Sequence, residues 1–224
     1  AQDAADDIGT MFYSDGTGNS SKDLLGLSAI VDDGTAVATI GGLSRSTYTT
    51  LQSTVTASSG TISLAKMRTL LNAVKSGAQK PTIAVCTEAV FGFYEQLLQP
   101  QERIAKSVEM MKGKMVGGTG FDGLMYEGIP VLADEKCTSG VFFFLNEDFL
   151  DFYGLPMKGA TPVKYKASEI EGNDYGSLPG LGFSWTDWIK PVNQAALISH
   201  IYLGGNLVTT NPKRHGKLTG VTGV

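Results

Sequence analysis

The residue pattern that most suggests chemistry in this sequence is Gly118-Thr-Gly-Phe-Asp-Gly123, which fits G-x-G-x-x-G letter for letter. In a dinucleotide site such a turn follows a strand and opens a helix, whose amino-terminal N–H groups receive the phosphates. Here Leu124-Met-Tyr-Glu-Gly-Ile-Pro-Val131 comes next and reads as strand, turn, strand, so a glycine-rich connection is the expected role. A small nucleotide-dependent enzyme using the Gly118–Gly123 loop stays as the alternative from another functional class. Asp122, Glu127, Asp134 and Glu135 lie close together in sequence and are of the type that serves acid–base or metal chemistry. Carboxylates in turns are ordinarily solvated, and that is the reading taken.

The remaining reactive side chains are sparse. The two histidines, His200 and His215, fall near the carboxy terminus, where His200 is expected to pack on a strand face and His215 to be solvated. Cys86 and Cys137 form no C-x-x-C pair and are too few for a zinc cluster or a disulfide framework, so both are expected as buried, reduced thiols. H-E-x-x-H, G-x-S-x-G and the phosphate-loop pattern do not occur. No catalytic, cofactor-binding or metal residue is predicted, and no cofactor.

These residues depend on a series of short elements. Asp15-Gly16, Gly18-Asn19, Asp32-Asp33-Gly34 and Gly41-Gly42 mark early turns. Residues 44–60 are rich in Ser and Thr with almost no charge, and their β propensity predicts an extended surface segment. A helix starts at Ser63 as N-cap, with Leu64, Met67, Leu71 and Val74 on one stripe and Lys75 and Gly77 as stop signals. Thr82–Cys86 predicts a strand after Pro81. Thr87 then caps a helix running to about Gln99, with Phe91, Phe93, Tyr94 and Leu97 as core.

Strands are predicted at Leu124–Tyr126, Ile129–Ala133 and Val141–Leu145, followed by a short helix from Asn146 to Tyr153. Residues 154–191 read as a long ordered excursion that carries Trp185 and Trp188, as local packing or as interface anchors. From Asn193 to Leu203 apolar residues occupy both faces of an extended run, which predicts a strand covered on both sides. Gly204-Gly205 suits a bend and Pro212 a strand end, after which Lys213, Arg214, His215 and Lys217 form a basic cluster closing the chain.

The closing run Asn193–Gly220 resembles the last strand of tailed-bacteriophage major capsid proteins. Three further stretches are similar to the same family: Lys80–Arg103, Gly120–Asn146 and Asp33–Tyr48. They cover well over half the chain and follow in the family's order, so the match rests on their succession. The resemblance implies the Hong Kong 97-like fold, mixed α/β (α+β), with an axial domain inserted into a peripheral domain. On that plan residues 1–60 and 192–224 are peripheral and 61–191 axial.

The function implied is structural: a coat protein whose pentamers and hexamers close into an icosahedral shell around phage double-stranded DNA. Scaffold, portal or decoration proteins are possible partners, with synthesis in a bacterial cytoplasm and final residence in the virion. An encapsulin-like nanocompartment shell is the nearest alternative. Some relatives join subunits through lysine–asparagine bonds; Asn206 and Asn211 are read as lying on the closing strand, and neither is assigned that role.

In the family a long spine helix precedes a segment like Thr10–Gly18, and before it come an extended loop and an arm. Ala1–Ile8 reads as the last turns of such a helix, so the sequence is expected to be a carboxy-terminal piece of a longer coat protein.

Bulk composition is compatible with these expectations. The chain has 224 residues, 42% of them hydrophobic, enough for a substantial core. Its net charge of -4 lacks the basic field with which dedicated nucleic-acid binders neutralise phosphates. No apolar run approaches the roughly 20 residues of a membrane helix, and the start lacks the pattern of a signal peptide.

Overall fold

The computed structural model describes residues 2–98, 124–154, 163–165, 183–185, 197 and 201–222. The Gly118–Gly123 loop, Asp122, Trp188 and His200 lie outside them. In chain order the strands are β1 (Thr39–Ile40), β2 (Leu43–Ser44), β3 (Thr54–Thr61), β4 (Ile83–Cys86), β5 (Leu124–Tyr126), β6 (Ile129–Ala133) and β7 (Val141–Leu145). They continue with β8 (Leu150–Gly154), β9 (Val163–Tyr165), β10 (Phe183–Trp185), β11 (Ile201–Leu203), β12 (Gly205–Thr209) and β13 (Gly216–Thr222).

The centre of the fold is a six-stranded mixed sheet in the order β3-β13-β7-β4-β6-β5. β13 runs parallel to β3 and antiparallel to β7, so strands from the sequence spans 1–60, 61–191 and 192–224 share one ladder. A three-stranded sheet, β12-β8-β9, and the pairs β1-β2 and β10-β11 complete the pairing among the described residues.

Period-two alternation explains why both faces of the large sheet are covered. In β7, Phe142 and Phe144 point to one side and Phe143 and Leu145 to the other, and all four are buried. On the first side, the helix Leu64–Val74 contributes Met67, Leu70, Leu71 and Val74, and the helix Glu88–Leu98 contributes Val90 and Tyr94. On the second side, the single turn Leu27–Ile30 closes over Val85, Phe143 and Leu145, with Tyr13 packed against them. Each buried phenylalanine contributes about 2 to 3 kcal/mol of burial free energy.

Local signals account for the first of these helices. Ser63 is extended, and its hydroxyl accepts the amide of Lys66, capping the helix; Lys75 closes it, and Gly77 takes a left-handed φ of 60°. The predicted strands 124–126, 129–133 and 141–145 occur with those bounds. Gly41 and Gly42, at φ 56° and 78°, form the tip between β1 and β2 as the Gly-Gly pair predicts. Of the extended surface segment expected over 44–60, only residues 54–60 lie in a long strand, at an end of the sheet order; Thr49–Leu51 is a 3-10 turn, and Arg45, Ser53 and Ser58 are buried. The first helix spans Gln2–Phe12, continuing past Ile8.

Three expectations need correction. The helix expected from Asn146 to Tyr153 is one 3-10 turn, Glu147–Phe149, capped by the Asn146 side chain on the Asp148 amide. Leu150 then enters β8, because that stretch pairs with β12 instead of continuing a helix. The long strand expected over 193–203 has only Ile201–Leu203 in a ladder among its described residues; Leu197 is unpaired and 64% exposed, not covered.

The third correction concerns the basic cluster taken as a chain end, which leads into β13, an interior strand of the large sheet between β3 and β7. Gly216 allows that position. A Cβ there would lie 2.6 Å from Val74 Cγ2 and 2.8 Å from Leu70 Cδ1, so glycine lets the strand pass beneath the helix Leu64–Val74 without displacing those side chains.

Candidate functional site

The most highly organised group of polar side chains sits under the large sheet's second face. Lys217 of β13 and Arg45, just after β2, converge there on Asp32, which follows the turn Leu27–Ile30. Arg45 is completely buried, Asp32 is 1% exposed and Lys217 6%.

Asp32 and Arg45 are held almost entirely by backbone. Asp32 Oδ2 accepts the amides of Gly34 at 2.9 Å, Val37 at 3.0 Å and Ala36 at 3.2 Å, and Arg45 Nη1 lies 3.6 Å from it. Asp32 Oδ1 accepts from Lys217 Nζ at 3.2 Å, and Lys217 also donates to the Ser28 carbonyl at 3.1 Å. Arg45 donates to the carbonyls of Ala29 (2.7 Å), Ile30 (2.9 Å), Val37 (3.0 Å) and Leu51 (3.1 Å). Burial pushes the Asp32 pKa up, but the amides of Val37 and Gly34 together with the Lys217 ammonium outweigh it, and the net shift is downward. The group therefore stays ionised.

Beside it, His215 is fully buried and not solvated, which corrects the expectation for that residue. Its Nδ1 accepts the Asn146 amide at 3.3 Å, so the proton resides on Nε2, which donates to Thr209 Oγ1 at 2.9 Å. Burial lowers its pKa to about 4. The Thr54 amide donates to the His215 carbonyl, which ties the start of β3 to the start of β13. The clustered cations of 213–217 thus form no solvated basic tail: one side chain is a buried neutral imidazole and another a buried ion-pair partner.

This arrangement binds segments of the chain to one another and leaves little to react. Arg45 is saturated by carbonyls and Asp32 by amides and cations. The cost of taking such charges out of water offsets much of their attraction, so a buried ion pair of this kind adds little net stability over a well-packed apolar core. Sequence reasoning did not identify Asp32, Arg45 or Lys217 as partners. One signal was available: between Asp33 and Lys66 the sole charged residue is Arg45, and a lone charge in a neutral surface stretch points inward.

Of the carboxylates singled out in the sequence, Glu127, Asp134 and Glu135 are among the described residues, and each takes a different partner. Glu127 sits with Gly128 in the β5–β6 turn, both with positive φ, and pairs with Arg68 at the surface. Asp134 accepts the Tyr13 hydroxyl at 2.6 Å and the Lys136 amide at 2.8 Å, anchoring the first helix to the sheet. Glu135 lies 3.9 Å from Lys136. No group of three or more His, Cys, Asp or Glu residues capable of holding a metal is found among the described residues.

Cys86 and Cys137 are free, buried thiols, each pushed up to about 12 by burial, and so are protonated and poor nucleophiles at neutral pH. Asn206 Oδ1 accepts the Leu25 amide at 2.9 Å. Leu124 begins a strand where a dinucleotide fingerprint needs a helix. No helix among the described residues is long and apolar enough to cross a membrane.

No family model matches the chain, and no curated protein matches it. Solved structures do. A chain of the Cyanophage A-1(L) capsid asymmetric unit is similar over 97% of this chain, with a TM-score of 0.66 at 16% identity. A chain of the holo-SrpI encapsulin complex from Synechococcus elongatus PCC 7942 aligns over 75% of this chain at a TM-score of 0.45 and 12% identity. The present chain spans 65% of the length of the first and 53% of the second. With the mixed sheet, the two covering helices and the anchored amino-terminal segment in place, the chain has the Hong Kong 97-like capsid fold.

Proposed function

We propose that this chain is the shell-forming portion of a tailed-phage major coat protein, assembling as pentamers and hexamers into an icosahedral shell around double-stranded DNA. The observation that carries the reading is the likeness to a phage capsid subunit over 97% of the chain. The polar groups fit a structural role, since the buried charges are consumed in holding the chain together and the thiols are protonated. Identical subunits with modest individual contacts gain stability through closed symmetry.

In this reading residues 1–60 and 192–224 belong to the peripheral domain and 61–191 to the axial domain, with β3 and β13 carrying the large sheet across the seam. The net charge of -4 suits a shell that encloses DNA without gripping its sequence. Scaffold, portal and decoration proteins would be the partners, and the virion the final location.

Electron microscopy of the product of the complete reading frame, alone and with any neighbouring scaffold gene, tests this. Uniform closed shells containing nuclease-protected DNA are expected. Shells that instead hold a cargo enzyme would assign the chain to nanocompartments. Persistent monomers or dimers in both conditions would overturn the shell reading.

A further inference from the structure

The link between the first helix and the turn Leu27–Ile30 follows a path that its residue types resist. Asn19 and Ser20 have φ of 49° and 60°, each with ψ 42°, and Ser21 has φ 62°, so three consecutive residues with side chains are left-handed. Crowding between Cβ and the following carbonyl makes this conformation about tenfold rarer per residue, with asparagine the milder case, and it ordinarily occurs at single positions.

Local bonding is a weak reason for the turn. Its backbone hydrogen bonds are long, Ser21 donating to the Thr17 carbonyl at 3.4 Å and Lys22 to that of Gly18 at 3.3 Å, and Asn19, Ser20 and Ser21 are exposed. The flanks are held far better. Before the turn, the Tyr13 hydroxyl donates to Asp134 at 2.6 Å and Thr138 Oγ1 donates to the Tyr13 carbonyl at 3.2 Å. After it, Leu24 is buried and the Leu25 amide donates to Asn206 Oδ1 at 2.9 Å. Gly26 then returns to the end of the first helix: a Cβ there would lie 2.5 Å from the Phe12 carbonyl oxygen and 2.6 Å from that of Met11. The loop thus closes on the helix it left, and unfavourable backbone of this kind persists only where its surroundings impose it.

From this geometry we infer that Gly18–Ser21 is a strained joint loaded by the docking of the first helix, which gives that helix two states. In one the helix lies on residues 134–138 with the joint left-handed. In the other the contact between Gly26 and the helix end is open, and the joint relaxes. The load lowers the cost of releasing the helix below what its anchors alone would set, while the sheet and the buried Asp32 group stay in place.

Hydrogen exchange on the full chain tests this, with Ser20→Gly and Ser20→Val compared with wild type. Ser20 is exposed, so both substitutions act through the backbone: glycine accepts a positive φ and a β-branched residue resists it. The readout is distant from the substitution, at the amides of residues 11–14 and of Lys136, which bonds to Asp134. S20G is expected to slow exchange there about fivefold and S20V to speed it by a similar factor, because the cost of the docked state changes and that of the released state does not.

Changes confined to residues 18–22 would overturn the inference, since the strain would then be local and unrelated to the helix. Faster exchange at residues 11–14 in S20G would also overturn it, by showing that glycine merely loosens the loop. If S20V fails to fold, the sign of the S20G effect decides.

Discussion

Lys217 Nζ sits 3.2 Å from Asp32 Oδ1, joining residues 185 positions apart in a place where both side chains are buried. Lys217 lies one strand in from the β3 edge, and Asp32 lies at the end of the segment that covers the second face, so this contact locks that cover onto the sheet.

Lys217→Met leaves the Asp32 carboxylate buried with one cation fewer, and a loss of about 3 kcal/mol is expected in urea unfolding. Asp32→Asn in the same background should recover part of that loss, because the uncompensated charge goes with it. Additive losses in the double variant would show that the two side chains act independently.

His215 predicts a pH dependence with a definite sign. Its folded pKa lies at about 4, below the ordinary 6.5, so the unfolded chain takes up the proton first as pH falls. Stability should therefore decline from about pH 6.5 down to about pH 4, by about 3 kcal/mol in all, and His215→Gln should flatten that part of the profile. Asp32 acts elsewhere. Its folded pKa is below the ordinary 3.8, so its contribution is intact above that value and disappears only in more acid solution.

Gly216→Ala should destabilise by about 2 kcal/mol through overpacking against Val74 and Leu70. Adding Val74→Ala removes the nearer obstructing atom, 2.6 Å from the new Cβ, and should restore part of the loss in thermal unfolding. Unchanged stability in G216A would mean that the helix above shifts freely.

Cys86 and Cys137 should resist iodoacetamide at pH 7.5 in the native protein and both react once it is unfolded, since burial holds each thiol protonated up to about 12. Mass spectrometry of the alkylated chain provides the count. Rapid native labelling of either would contradict the buried placement.

Legibility in the sequence followed the range of the interactions. The helix Leu64–Val74 was readable because Ser63, the apolar stripe and Gly77 are all local signals, and Ile129–Ala133 and Val141–Leu145 were readable from apolar runs bounded by turns. β13 was not readable. With two glycines and a lysine in Gly216-Lys-Leu-Thr-Gly-Val-Thr222 it looks like a solvated tail, and what makes it a strand lies far away in sequence. Gly216 answers to Val74, and Lys217 to Asp32. His215 was misread for the same reason, its partners being Asn146 and Thr209. The Asp32–Arg45–Lys217 group appears only when three distant segments meet.

The position of β13 between β3 and β7 has a consequence for biosynthesis. Translation runs from the amino terminus, so β3, β4 and β7 all emerge from the ribosome before the strand that separates β3 from β7 exists. Until residues 216–222 are released, the flank of β7 that carries Phe142–Phe144 lacks its neighbour, and the large sheet cannot close. A nascent chain in that condition holds β3 without its partner, so the sheet is completed only by the late pairing of Gly216 with Thr54 and of the residues that follow each.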